Sequence, residues 1–319
     1  MKVRRAFVLM VLVGFALISL CAPIVLKASD VHNEGYPTVE AIKMMGKTIE
    51  LMTNGKYKVE VYVGGQLGSE KEVIEQTIMG AIHIARVSVA PLQPFYDPIG
   101  VYAMPYLFRD AEHYWKVLEG PIGEQLLKDM EKIGLVGLCY YDAGARSFYT
   151  KKPVQKPEDL KGMKIRVQQN AIMIALMGAL GATGVPMGPE EIYTAIQTGI
   201  VDGAENNPPS YYEFRHFEVA PYYCLDGHTR IPEIVLVNKA FWDKLTAEEK
   251  LIFKTAAIAS VQYERLLWNQ WEESALEAVK KAGAQVFVPD VSAFQKAVQS
   301  MYDKYPQYKE LIQKIQATK

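Results

Sequence analysis

Between Thr246 and Ala282 the chain runs without a proline or a glycine, and Gly283 follows immediately. Thr246 and Glu249 have the T-x-x-E spacing of a capping box, in which each side chain satisfies a free backbone N–H at the start of a helix. Glycine is the residue most suited to ending one. The spacing therefore predicts one helix of about 36 residues, roughly 54 Å at ~1.5 Å per residue. That is long for a single domain, and the sequence predicts that the helix lies across two lobes.

Elsewhere short β-rich runs alternate with helical stretches, which predicts an α/β architecture. KVEVYV (58–63), IHIARVSVA (82–90), VGLCYYD (136–142), MKIRVQ (163–168) and EIVLVNK (233–239) read as strands. Ser69 and Glu72 form a second capping box that opens a helix through Met79, and another helix is expected near 121–133. Pro189 and Gly199 bracket a helix over EEIYTAIQT, with proline at the first turn and glycine past the last. No repeat of fixed period appears.

The chain has 319 residues, half of them apolar, enough for two ordinary domains. Thirty-five Lys and Arg balance 36 Asp and Glu, so charge gives no reason to expect a nucleic-acid partner. Lys2, Arg4 and Arg5 precede an apolar run from Ala6 to Cys21, the pattern of a secretory signal. The run is short of the roughly 20 residues that span a bilayer. Cleavage after Cys21 is expected, giving a signal peptide 1–21 and an exported mature chain. Lipidation of Cys21 is the rival reading, and Leu20 argues against it because lipoprotein signals take a small residue there. Cys139 and Cys224 read as two separate core residues rather than a disulfide, and no spacing resembles a metal-ligand set.

Arg146 (in GARSFY, 144–149), Arg166 (in KIRVQ) and Asn206 (in GAENN) follow one another at intervals of 20 and 40 residues, each at the edge of an expected strand. A guanidinium is a planar fork of donors that matches a carboxylate. Two such forks and an amide suit capture of a small organic acid. Taken alone, Arg166 also reads as an outward side chain on a solvated strand face, and Arg146 as a hinge residue bonding loop carbonyls.

These motifs, with GGQLGSEKEVIEQTIMGAI (64–82), MPYLFRDAEH (104–113), EEIYTAIQTGIVDGAEN (190–206) and HFEVAPYY (216–223), resemble the substrate-binding subunit of tripartite ATP-independent periplasmic (TRAP) transporters. The resemblance covers nearly all of the mature chain. It implies the type II periplasmic binding fold, two lobes with a hinge and the long helix spanning both. Lobe one is expected to comprise 22–143 and 232–271, and lobe two 144–231 and 272–319, with the ligand in the crevice between them at the carboxyl ends of strands. It also implies delivery of the acid to membrane-embedded TRAP permease subunits, without cofactor or metal.

The resemblance makes Arg166 the carboxylate-binding arginine, with Arg146 and Asn206 beside it. His32 (in SDVHNEGYP), Ser88, Glu205 and Tyr211 complete the expected ligand set together with Glu72, which the capping box also claims. His228 reads as a residue that locks the hinge. Sialate-binding members carry carboxylates just after QLG and in the strand near Ser88. Here those positions are Ser69 and Ser88, which argues against sialate. DVHNEGYPTVEA, IRVQQ and GAENNPPSYY look closer to members that take hexuronates such as galacturonate or glucuronate. Two other functions are consistent with the residues. One is an exported sugar-acid-processing enzyme using Glu205 with Glu72 or Asp202 as acid and base, against which stands the lack of a G-x-S-x-G elbow, metal cluster or phosphate loop. The other is a ligand-sensing module for a receptor.

Overall fold

The computed structural model describes residues 22–319. The expected signal peptide, with Cys21, lies outside the described residues. The strands are β1 (Ile24–Ser29), β2 (Tyr57–Tyr62), β3 (Ile84–Ser88), β4 (Leu135–Tyr141), β5 (Arg146–Thr150), β6 (Lys164–Val167), β7 (Thr183–Pro186), β8 (Gly203–Asn206), β9 (Tyr222–Thr229), β10 (Glu233–Asn238) and β11 (Gln285–Phe287). They form two sheets. One has the order β2-β1-β3-β10-β4 and the other β11-β9-β5-β8-β6-β7.

Each sheet is mixed in the same way. In the first, β1 is parallel to β2 and β3, while β10 is antiparallel to both β3 and β4. In the second, β6 is parallel to β7 and β8, while β5 is antiparallel to β8 and β9. The chain leaves the first sheet after β4 and returns to it at β10, so two crossings fall close together, between Tyr141 and Arg146 and between Thr229 and Glu233. β3, β5 and β10 are buried along their whole length. They read as continuous apolar or mixed runs because helices cover both faces.

The long helix is Ala247–Lys281, 35 residues, capped by Thr246 and Glu249 as expected and followed by Gly283 at φ +101°. Its N-terminal half buries Phe253, Ala256, Ala257 and Val261 with the core of the first sheet. At the crossings Ser260 Oγ lies 2.7 Å from the Tyr141 hydroxyl, and the Asp142 N–H donates to Glu264 at 3.0 Å. Trp268 packs with Tyr36 and Val39, and Val279 and Leu276 join the core of the second sheet. One rigid rod thus touches both lobes and the strands between them.

The C-terminal segment divides differently from the expectation that all of 272–319 belongs to lobe two. Helix Val291–Val298 lies against β9 and helix Ala171–Ala179. Beyond it the chain turns back to the first lobe: Tyr302 donates to Pro105 O at 2.7 Å, Tyr308 to Asp97 O at 2.9 Å, and Arg109 to Gln316 O at 2.9 Å. His113 Nε2 meets Ile315 O at 2.8 Å. The reason is burial of the apolar stripe of the last helix, where Ile312 and Ile315 enter the first core. Cys139 and Cys224 are separate, buried and free.

Gly144 sits at the first crossing with φ +58°, a conformation that side chains rarely adopt. A Cβ there would stand 3.0 Å from the Trp268 ring and collide with Glu272 Oε1. Gly144→Ala is expected to lower unfolding free energy by about 1–3 kcal/mol, read by urea denaturation. An unchanged midpoint would show that the crossing tolerates a side chain.

Candidate ligand-binding site

The parallel strands place their carboxyl ends in the crevice between the lobes, and the antiparallel strands β5 and β10 contribute their first residues at the same level. Strand alternation then decides which side chains face inward. On β3 the pair Arg86 and Ser88 lie two apart and point the same way. So do Arg166 on β6 and Gln168 just past its end. Arg146 opens β5, Asn206 ends β8, Glu233 opens β10, and His32 follows β1. Together with Glu70, Ser210 and Phe214 these line a cavity of about 30 Å³.

Arg166 is 3% exposed. Its Nε and Nη2 donate to one acceptor, Met187 O, at 3.0 and 2.6 Å. No carboxylate among the described residues lies within ion-pair distance of it. Burial accordingly lowers its affinity for the proton below that of an ordinary guanidinium. The other buried arginines are matched. Arg146 donates from Nε to Glu205 Oε2 at 2.5 Å, from Nη2 to Glu205 Oε1 at 3.0 Å and from Nη1 to Asn206 Oδ1 at 2.8 Å. Burial alone would raise the Glu205 carboxyl, but Arg146 and His228 outweigh it and hold it at about 2. The expectation of two open forks is therefore corrected. The Nε–Nη2 edge of Arg146 is occupied by Glu205, which leaves one free N–H on Nη1 for a ligand.

The wall contributed by the first lobe is acidic. Arg86 donates to Asp30 at 2.9 Å from Nε, with Nη2 also on Asp30, and from Nη1 to Glu233 at 2.6 Å and Glu70 at 3.3 Å. Glu70 also accepts the Ser88 N–H at 2.8 Å. Polar contacts close the cavity across the lobes. His32 Nδ1 meets Glu213 Oε2 at 2.6 Å, Tyr36 OH meets Ser210 Oγ at 3.0 Å, and Gln168 Nε2 donates to Ser88 Oγ at 2.8 Å. His32 stacks flat on Tyr36 with ring centres 3.6 Å apart.

Of the residues expected from sequence, His32, Ser88, Arg146, Arg166 and Asn206 line the cavity. Three do not. Glu72 is exposed and accepts from Ser69 N and Oγ at 2.8 and 2.9 Å, so the capping-box reading describes it. Tyr211 is fully buried in the second core, where its hydroxyl donates to Ala220 O. Glu205 stands behind Arg146 and orients it rather than facing the cavity. Sequence reasoning missed Glu70, Arg86, Gln168, Glu213 and Glu233. Arg86 and Gln168 were accessible to it, because each sits two residues from a chosen strand position and shares its face. Glu70, Glu213 and Glu233 are brought in by tertiary contacts that no local pattern signals.

Two lobes joined by repeated crossings, and closed by hydrogen bonds over a polar cavity that holds an unneutralised guanidinium, define a solute-capturing protein. The chain belongs to the bacterial extracellular solute-binding proteins, family 7, the TRAP group, whose family pattern it matches over residues 28–308. It is similar to a TRAP solute-binding protein of Xanthobacter autotrophicus Py2 with bound β-D-galacturonate, at 44% identity and TM-score 0.90, over 92% of this chain and 100% of that one. It is similar also to one of Pseudomonas putida F1 with bound D-glucuronate, at 43% identity and TM-score 0.90, over 92% and 97%. The C4-dicarboxylate-binding periplasmic protein of Rhodobacter capsulatus is 34% identical over 270 residues, 84% of this chain and 81% of its own length.

His228 supports the site from beneath. Its Nδ1 lies 2.9 Å from Asp226 and its Nε2 3.7 Å from Glu205, and its ring stacks on Phe148 at 4.2 Å. Burial opposes its protonation, but Asp226 and Glu205 outweigh burial and hold its pKa at about 9, against 6.5 in a free histidine. A raised value favours the folded state fully below pH 6.5, and the benefit disappears as pH rises through about 9. Stability is expected to fall by up to ~3 kcal/mol over that window, and His228→Gln should remove this dependence. Parallel urea curves for the two proteins across pH 6 to 9.5 would contradict the assignment.

Proposed function

We propose that this protein captures a hexuronate, galacturonate or glucuronate, between its lobes and carries it to the TRAP permease as an exported, periplasmic subunit freed of residues 1–21. The observation that carries this reading is the buried guanidinium of Arg166. An ion removed from water without a counter-charge is costly, and an entering carboxylate removes that cost. The remaining N–H groups of Arg166, the free N–H of Arg146 and the amide of Asn206 line one cavity and suit one carboxylate. The uronates named for the Xanthobacter and Pseudomonas relatives fit that chemistry.

A cavity of about 30 Å³ has room for a water or two rather than a sugar acid. Ligand entry therefore requires the lobes to part, breaking the contacts of His32 with Glu213, Tyr36 with Ser210 and Ser88 with Gln168. A ligand that touches both lobes binds the closed form better and shifts the population toward it. We read the event as capture without chemistry. That is supported by the position of the carboxylates an enzyme would need. Glu72 caps a helix on the surface, Glu205 is held ionised by Arg146, and Asp202 accepts the Lys164 N–H at 2.8 Å.

Titration calorimetry of galacturonate and glucuronate is expected to give micromolar or tighter binding, about −8 kcal/mol or better, with the acid recovered unchanged. Arg166→Ala should weaken the bound uronate by about 3–5 kcal/mol while leaving the unliganded protein folded. Arg166→Lys should also weaken it, because a point charge does not reproduce the fork. Undiminished affinity in the alanine variant would remove Arg166 from the site. Thermal-shift profiles with sialate are expected to be flat.

A further inference from the structure

The cavity is electrically lopsided. On the second-lobe side Arg146 is neutralised by Glu205, and Arg166 is left as a net positive charge. On the first-lobe side a single cation, Arg86, faces three carboxylates, Asp30, Glu70 and Glu233. Glu70 and Glu233 both line the cavity and are 7% and 6% exposed. Burial, and to a lesser degree Glu70 nearby, pushes the Glu233 carboxyl up to about 7 despite Arg86. His32, the remaining titratable group on this wall, is engaged by Glu213.

A second observation points to what the wall receives. Gln168 is 6% exposed and lines the same cavity. Its Nε2 donates to Ser88, and its Oε1 has no hydrogen-bond partner. A buried acceptor without a donor is costly, and a ligand that brings a donor relieves it. Carboxylates and an amide oxygen accept, whereas an ionised acid group has no proton to donate to them. The end of the ligand that faces the first lobe must therefore bring O–H groups and no charge.

We propose that the first-lobe wall is a charge filter, in which Glu70 and Glu233, joined by Gln168 reaching Ser88 from the second lobe, accept hydrogen bonds from ligand hydroxyls and turn away a second carboxylate. Resting on the placement of the ligand carboxylate at Arg166, this narrows the substrate class to polyhydroxylated monocarboxylic acids and excludes diacids of similar length. Discrimination comes from repulsion of the wrong ligand as much as attraction of the right one.

The test is titration calorimetry of D-galacturonate, D-glucuronate, D-gluconate, meso-galactarate (the diacid of the galactose skeleton) and malate against the whole protein and its Glu70→Gln and Glu233→Gln variants. A monoacid is expected to bind at least about a hundredfold more tightly than galactarate, and each variant should narrow that ratio at least about tenfold. Galactarate binding within about threefold of the best monoacid, or ratios unmoved by both variants, would overturn the filter. If gluconate binds and both uronates fail, the filter stands and the uronate reading falls. If a diacid binds most tightly, both fall. Should a variant not fold, the monoacid-to-diacid ratio of the unaltered protein decides.

Discussion

A guanidinium enclosed by protein and left without an anion is unstable in a way that the rest of the chain has to sustain. Arg166 holds this position because β6 is an interior strand, paired with β7 and β8, and because Met187 O fixes the Nε–Nη2 edge. The deficit is local and directional: the fork is anchored on one edge, and its other N–H groups are left for an incoming acid. Matching Arg146 with Glu205, and Arg86 with an excess of carboxylates, keeps the remaining buried cations from competing for the same anion. In the function proposed above, the binding energy for an acid is stored in the unliganded protein as an unmet need for charge.

The architecture that holds this arrangement is set by the long helix. It fastens to the first core through Phe253 and Ala257, to the crossings through Ser260 and Glu264, and to the second core through Val279. The lobes can part only by motions that this rod and the two neighbouring crossings permit, which favours a hinge over sliding. The returning C-terminal segment adds a fourth connection, since residues 301–318 bond the first lobe after helix Val291–Val298 has packed on the second.

Much of this was legible from the amino-acid order. The helix length, both capping boxes and five of the eleven strands among the described residues follow from local rules, because each is decided by residues a few positions apart. Arg146, Arg166 and Asn206 stood out because forks and amides at strand ends have few uses in a core. What escaped was whatever depends on folding distant segments together. Glu72 and Glu70 differ by two positions in one helix, and only the packing of that helix against β3 decides which of them reaches Arg86. Tyr211 has the sequence context of a ligand platform, yet its ring is claimed by Tyr149 and Tyr223. The final helix shows the same limit: its apolar stripe at Ile312 and Ile315 says that it must dock, not that it docks on the first core.

The seam between the lobes over the cavity is made of hydrogen bonds. The polar groups that meet across it (the His32 ring, the Glu213 carboxylate, the Tyr36, Ser210 and Ser88 hydroxyls and the Gln168 amide) find equally good partners in solvent when the halves separate, so shutting the cleft gains little by itself. Such a seam makes a near-balanced gate. The cargo supplies the bias that keeps it shut, and a receiving surface that grips both halves in their parted form needs to overcome little beyond the cargo's own hold to make it let go.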